Sequence, residues 1–136
     1  MKKIYLGMAL KGTPEWWNVA FQNDVRQALE TLEDYEVTKF VGLTGAAPTE
    51  IYETDINLAK SADYMIALTQ FPSTGLGMEI QARINRSKPT IVCHPKDEQL
   101  SNMVLGAPGI QVVYYDSTQD SVAAAREIAN QVGKYL

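Results

Sequence analysis

The segment Tyr64–Leu68 reads Tyr-Met-Ile-Ala-Leu, an apolar run with almost no polar interruption. A strand with one face in water alternates apolar and polar residues, because successive side chains point to opposite faces. A near-continuous apolar run instead demands cover on both faces, the condition of a parallel sheet packed between helices. The rest of the chain fits that demand. Residues 4–10, 36–41, 90–93 and 110–115 read as four further strands. Between the first two, Pro14 opens a helical pattern in which Trp17, Phe21, Val25, Ala28, Leu29 and Leu32 recur at spacings of three and four. A second helix is predicted over 49–62, and a third from the turn at 72–75 to about Asn85. A short helix is predicted over 100–105, and a last one capped by Ser117 or Thr118 and ending near Tyr135. This alternation predicts an α/β chain: one doubly wound, flavodoxin- or Rossmann-like, five-stranded parallel sheet with helices on both faces. Residues 1–136 form a single domain in this reading. Ligands of such folds sit beyond the carboxyl ends of the strands, which directs attention to the loops 10–15, 42–48 and 69–75.

Charge and cysteine content narrow the partners. The net charge of −4 argues against a nucleic-acid polymer, whose phosphates call for clustered Lys and Arg. A small anionic ligand, needing only a few local donors, stays open. One cysteine, Cys93, allows no intrachain disulfide, and one Cys with one His makes a zinc site unexpected. Lys2 and Lys3 before the apolar residues 4–10 have the outline of a signal peptide. Gly7 breaks that run and no small-residue cleavage site follows, so a first strand is the expectation. No stretch approaches the ~18 apolar residues of a membrane span. The expected location is the cytoplasm.

On a helical wheel, Ile51, Tyr52, Ile56, Leu58, Ala59 and Ala62 fill one continuous arc of the second helix, and Asp55 falls in the middle of it. Burying an unpaired carboxylate costs several kcal/mol. Either Asp55 caps a loop or pairs with an Arg, or this face lines a cleft where a carboxyl group of raised pKa does chemistry. A second feature is the turn from Pro72 to Glu79, Pro-Ser-Thr-Gly-Leu-Gly-Met-Glu, between the third strand and its helix. Gly75 and Gly77 permit close approach of a ligand, the free amides of a first helical turn attract anions, and Ser73 or Thr74 can cap. The spacing is neither that of a P-loop nor that of a dinucleotide fingerprint. Glu79 lies four residues before Arg83, a spacing that by itself reads as a surface ion pair.

Three segments carry a resemblance: Ile-Tyr-Glu-Thr-Asp ending at Asp55, Ala-Asp-Tyr-Met-Ile-Ala from Ala62, and Pro-Ser-Thr-Gly-Leu-Gly-Met-Glu-Ile from Pro72. Together they resemble the core of the nucleoside 2-deoxyribosyltransferase family. Tyr5-Leu6-Gly7 is similar to that family's first-strand motif, and Lys88-Pro89 to the approach to its fourth strand. The resemblance implies that Glu79 is the nucleophile, that Asp55 contacts the sugar and assists proton transfer, and that Tyr5 orients the nucleophile. It also implies that Gly7, Ser73, Thr74, Gly75, Gly77 and Ser101 bind substrate.

Within the family, a serine six residues before the nucleophile marks the branch that hydrolyses deoxynucleoside 5'-monophosphates, and this chain has Ser73 there. Leu-Ser-Asn-Met from Leu100, then Gly106-Ala107, resembles the segment whose serine reaches a neighbouring subunit's phosphate. The implied enzyme is a homodimer or higher homo-oligomer with shared active sites. It cleaves the N-glycosidic bond of a nucleoside or its 5'-monophosphate through a glutamyl-glycosyl intermediate, with no metal or organic cofactor. Some residues depart from the family pattern: Gln81, Ala82 and Arg83 after the nucleophile, Lys11-Gly12-Thr13-Pro14 in the first loop, and Trp16 and Trp17. The other readings are a non-catalytic, Rossmann-like nucleotide-sensing domain, which needs neither Glu79 nor Asp55, and a flavodoxin-like module stacking a flavin on Trp16, Trp17 or Tyr residues.

Overall fold

The uninterrupted run at 64–68 becomes the central strand. In the computed structural model, which describes residues 1–38 and 45–136, five strands form one sheet: β1 (Lys2–Met8), β2 (Tyr35–Thr38), β3 (Tyr64–Leu68), β4 (Thr90–Pro95) and β5 (Ile110–Tyr115). Their order is β2-β1-β3-β4-β5, and every neighbouring pair is parallel. Residues 39–41 of the expected second strand and 42–44 of the loop after it lie outside the described residues. The chain leaves β1 for one side of the sheet and returns at β3 on the other. Their carboxyl ends therefore diverge and leave a crevice, the switch point where ligands of this architecture bind.

The pleat divides the core in two. Ile4, Leu6, Ile66, Leu68, Ile91 and Cys93 face a layer made by α1 (Gln22–Glu30) and α5 (Ser121–Gly133). Tyr5, Met65, Ala67 and Val92 face the opposite layer, made by α2 (Pro48–Ser61), α3 (Thr74–Asn85) and the short α4 (Asn102–Gly106). The site residues read from the sequence belong to this second layer or to the strand beneath it. Among the described residues, no helix is long and apolar enough to cross a membrane, and no cluster of His, Cys, Asp and Glu is arranged to hold a metal.

Two helix starts differ from the periodicity reading. The first helix begins as a π-helix, Trp16–Phe21, before α1. The amide of Gln22 reaches the Trp17 carbonyl, and the wider turn lets the rings of Trp17 and Phe21 stack at 5.2 Å. The cap of α5 is Asp120, whose carboxylate accepts from the Ala123 amide at 2.9 Å, and neither Ser117 nor Thr118 takes that role. Thr118 is held in a local turn by Asp116, which accepts from both its amide and its hydroxyl.

Gly7 sets how closely α3 approaches the sheet. A Cβ at this position would lie 2.7 Å from Met65 Cε and 2.9 Å from Leu76 Cδ1, both inside van der Waals contact. Met65 and Leu76 are buried, so neither tip moves freely. Gly7→Ala is expected to destabilise the fold by about 1–3 kcal/mol, the usual cost of overpacking a dense core. A denaturation midpoint equal to wild type would show that these side chains yield without cost.

Candidate active site

Strand β1 ends in the crevice, and the pleat sends Tyr5 toward α3. One turn into α3, Glu79 meets it, and the Tyr5 hydroxyl donates a hydrogen bond to Glu79 Oε2. Asp55 of α2 completes the group. A cleft of about 140 Å³ is lined by Tyr5, Asp55, Ser73, Gly75 and Glu79, with Gln22 of α1 at its edge. A wider adjoining groove of about 280 Å³, with Ile51, Tyr52 and Met78 on its walls, shares Asp55, Gly75 and Glu79.

The electrostatics follow from burial. Desolvation pushes the Glu79 carboxyl up to about 7. The Tyr5 hydrogen bond pulls it down, and the nearby Asp55 charge pushes it up. Burial, with the charges of Glu79 and Asp55, drives the Tyr5 phenol well above its ordinary value, so it stays a donor throughout the physiological range. Partial burial also raises Asp55. The arrangement is a carboxyl poised near neutrality, a fixed donor on one of its oxygens, and a second carboxyl beside it. Such a group can attack an electrophilic carbon and exchange a proton with a leaving group.

The remaining expected site residues divide. Ser73 lines the cleft and caps α3, its Oγ accepting from the Leu76 amide at 3.3 Å, and Gly75 lines both cleft and groove. Thr74 is the exposed first residue of α3. Gly7 lies buried beneath Leu76 and does not line the cleft, so its part is close packing. Gly77 and Ser101 line a second cavity of about 320 Å³, which shares only Ser73 and Leu76 with the cleft. Within one chain, Ser101 is therefore not in the cleft.

Two expectations built on spacing are corrected. Glu79 does not pair with Arg83, whose side chain is fully buried and points toward the end of α2. The apolar arc around Asp55 also splits. Ile56 and Ala59 are buried, whereas Ile51 and Tyr52 are exposed along the groove, and Asp55 stands at the boundary. Among the described residues, Asp55 has no Arg or Lys partner. Trp17 is sealed in the core with its indole N–H on the Ala9 carbonyl at 2.7 Å, so it offers no face to a flavin. Gln22 carried no signal in the sequence, being one polar residue among several on its helix.

Comparison with known proteins follows the same line. No family model matches the chain. A Thermofilum pendens protein named 2'-deoxynucleoside 5'-phosphate N-hydrolase is 29% identical over 130 residues, covering 88% of this chain and 90% of that protein. The solved structure of Clostridium botulinum CMP N-glycosidase matches with a TM-score of 0.73 at 19% identity, covering 99% of this chain and 100% of that one. A 2-deoxyribosyltransferase from Bacillus psychrosaccharolyticus matches with a TM-score of 0.63 at 19% identity, covering 94% and 90%.

A folded-state pKa near 7, above the ordinary carboxylate value of 4.5, means that Glu79 favours the fold most below pH 4.5 and loses that contribution as pH rises through 7. Glu79→Gln is therefore expected to gain stability relative to wild type between pH 5 and pH 8, read as a growing difference in Tm. Tyr5→Phe removes the bond that lowers the Glu79 pKa, so a carboxyl titration followed by NMR should move to higher pH. A titration that moves to lower pH would contradict the assigned role of Tyr5.

Proposed function

We propose that this chain is a member of the nucleoside 2-deoxyribosyltransferase family, a reading its relatives support, and that it cleaves the N-glycosidic bond of a nucleoside or nucleoside 5'-monophosphate with Glu79 as nucleophile. One observation carries the reading: Tyr5, Glu79 and Asp55 converge at the switch point of the sheet, with the Glu79 carboxyl near neutrality. Glu79 in its ionised form attacks the anomeric carbon while the bond to the base nitrogen breaks, through an oxocarbenium-like transition state. The base leaves with the bonding electrons and takes a proton, which Asp55 manages. Water or a second base then attacks the same carbon and frees the Glu79 carboxylate. Tyr5 holds one Glu79 oxygen and leaves the other for attack. No cofactor enters this scheme. A non-catalytic nucleotide-sensing domain would have no use for desolvating Glu79 beside a second carboxyl.

The 5'-phosphate reading is supported by Ser73 at the cleft and by the free amides at the start of α3. A partner subunit would supply a second Ser101. The exposed Tyr52 and Met78 beside the groove, and Met103 next to Ser101, support a homodimer in which sites are shared.

Glu79→Gln is expected to nearly abolish turnover, since an amide cannot form the glycosyl ester. Mass spectrometry of wild type with a slow 2-fluoro sugar analogue should find the adduct on Glu79. Retention of more than about a tenth of the activity would remove Glu79 from this role. Hydrogen bonds to a charged group contribute ~1.5–3 kcal/mol each. Monophosphates should therefore exceed the parent nucleosides by at least about tenfold in kcat/KM. Ser73→Ala and Ser101→Ala should erode that ratio and leave the nucleoside reaction nearly unchanged. Equal rates on both substrates would make the enzyme one for free nucleosides.

A further inference from the structure

Arg83 is the one fully buried cation among the described residues, and it bonds almost entirely to backbone carbonyls. Nη1 donates to the carbonyls of Ala59, at 3.0 Å, and Ala62. Nη2 donates to Asp63, at 3.3 Å, and to Pro89, and Nε faces the Thr90 hydroxyl at 3.5 Å. The last carbonyls of a helix have no partner within it, and Arg83 takes two of those at the end of α2. The same side chain thus joins α3, the carboxyl end of α2 and the entrances of β3 and β4.

Helical geometry gives this join a consequence at the active site. Asp55, Ala59 and Ala62 share one face of α2, at spacings of four and three. Glu79 and Arg83 share one face of α3, at a spacing of four. The contact between Arg83 and the α2 carbonyls therefore lies about one turn, roughly 5.4 Å, behind the place where Asp55 stands beside Glu79. α2 itself buries Ile56 and Ala59, with Leu58 partly buried against the same core, so Arg83 adds a polar tie at its carboxyl end to this apolar packing.

We propose that Arg83 is a positioning residue that sets the distance between Asp55 and Glu79 by tying the carboxyl end of α2 to α3. The proposal rests on the assignment of these two carboxyl groups to glycosidic cleavage. It goes beyond that assignment in placing control of their separation in a residue that touches neither substrate nor carboxyl. Burial lowers the guanidinium pKa to about 10, still well above neutrality, so the tie remains charged in the working range.

The groups facing Glu79 are Tyr5 from β1 and Asp55 and Tyr52 from α2, while Arg83 on its own helix is directed away to the end of α2. Because the Asp55 charge raises the Glu79 pKa, a loosened α2 that lets Asp55 withdraw should lower it. Arg83→Lys keeps the charge but not the planar fork that reaches several carbonyls at once. Titration of the Glu79 carboxyl by NMR, which needs no turnover, is expected to fall by roughly half a pH unit in Arg83→Lys. In an Asp55→Asn background only the part of the fall due to rehydration of Glu79 should remain, so the shift should be clearly smaller. Turnover by Arg83→Lys should drop about tenfold to a hundredfold in kcat, with KM within about twofold. That drop should vanish in the Asp55→Asn background. An equal Glu79 shift in both backgrounds, or no shift in a folded Arg83→Lys protein, would overturn the proposal. Arg83→Met serves as a second probe if the lysine variant does not fold, and there the lost charge alone would raise the Glu79 titration, so a fall that shrinks in the Asp55→Asn background still reports Asp55. A wild type inert toward every nucleoside and nucleotide tested would sink the functional reading, while the titrations would still judge Arg83.

Discussion

A carboxyl group held away from water needs a donor or a proton, and Glu79 has both within reach. Tyr5 gives it one hydrogen bond, and burial lets it protonate near neutral pH. This pairing depends on α3 lying close enough to β1 for a phenol on the strand to meet a carboxyl one turn into the helix. Gly7 makes that approach possible, because any Cβ there would push against Leu76 of α3 and Met65 of β3. The parallel register of β1 with β3, Gly7 beside Ala67, places the small residue directly under the helix. Sheet order, one missing methyl group and one hydrogen bond thus form a single chain of causes.

The fold was legible because its inner strands β3 and β4 are buried on both faces and its helices are periodic, two signals that local sequence carries. The element boundaries that failed depended on competition between neighbours. Asp120 displaced Ser117 and Thr118 as the α5 cap because Asp116 had already engaged Thr118 in a turn. The π-turn at Trp16–Phe21, within which the rings of Trp17 and Phe21 stack, departs from the period of 3.6 on which the helix reading rested. At the site, Asp55 was visible as a carboxyl misplaced on an apolar arc, and the resemblance pointed to Glu79 and Tyr5. Arg83 was misread because the pair Glu79 and Arg83 was weighed alone. Leu76, Ile80 and Arg83 form a stripe at spacings of four and three, and all three are buried. A cation on a buried stripe must find acceptors, and the carbonyls that end a neighbouring helix are the abundant ones.

The two tryptophans that stood out in the sequence act on the site from the other layer. Trp17 packs against Phe21 and Phe71, with ring centroids 5.2 and 4.9 Å away, and Trp16 lies 5.9 Å from Phe71. Phe71 belongs to the segment that leads from β3 to Ser73. The aromatic cluster therefore fixes one end of the turn whose other end carries Glu79. The indole of Trp17 also ties to Ala9, just past β1. Both strands that flank the crevice are thus anchored at their carboxyl ends by the same rings.

Charge sets the last constraint on what this cleft can hold. Asp55 and Glu79 already place two carboxyl groups at one end, and no Lys or Arg among the described residues lines it. A 5'-phosphate bound there would have to rely on neutral donors: the Ser73 hydroxyl, which keeps its own proton while accepting from Leu76, and the amides that open α3, reinforced by the helix dipole. A bound phosphate would also favour the protonated form of Glu79, whereas the proposed attack on the anomeric carbon would require the ionised form. Binding and nucleophilicity therefore oppose one another through the same field. The Tyr5 hydrogen bond counters this opposition, because it stabilises the carboxylate and is itself uncharged. A cationic partner in its place would hold Glu79 ionised at every working pH, but would also weaken its attack by binding the charge too tightly. A phenol whose own pKa is driven upward supplies the donor without that cost.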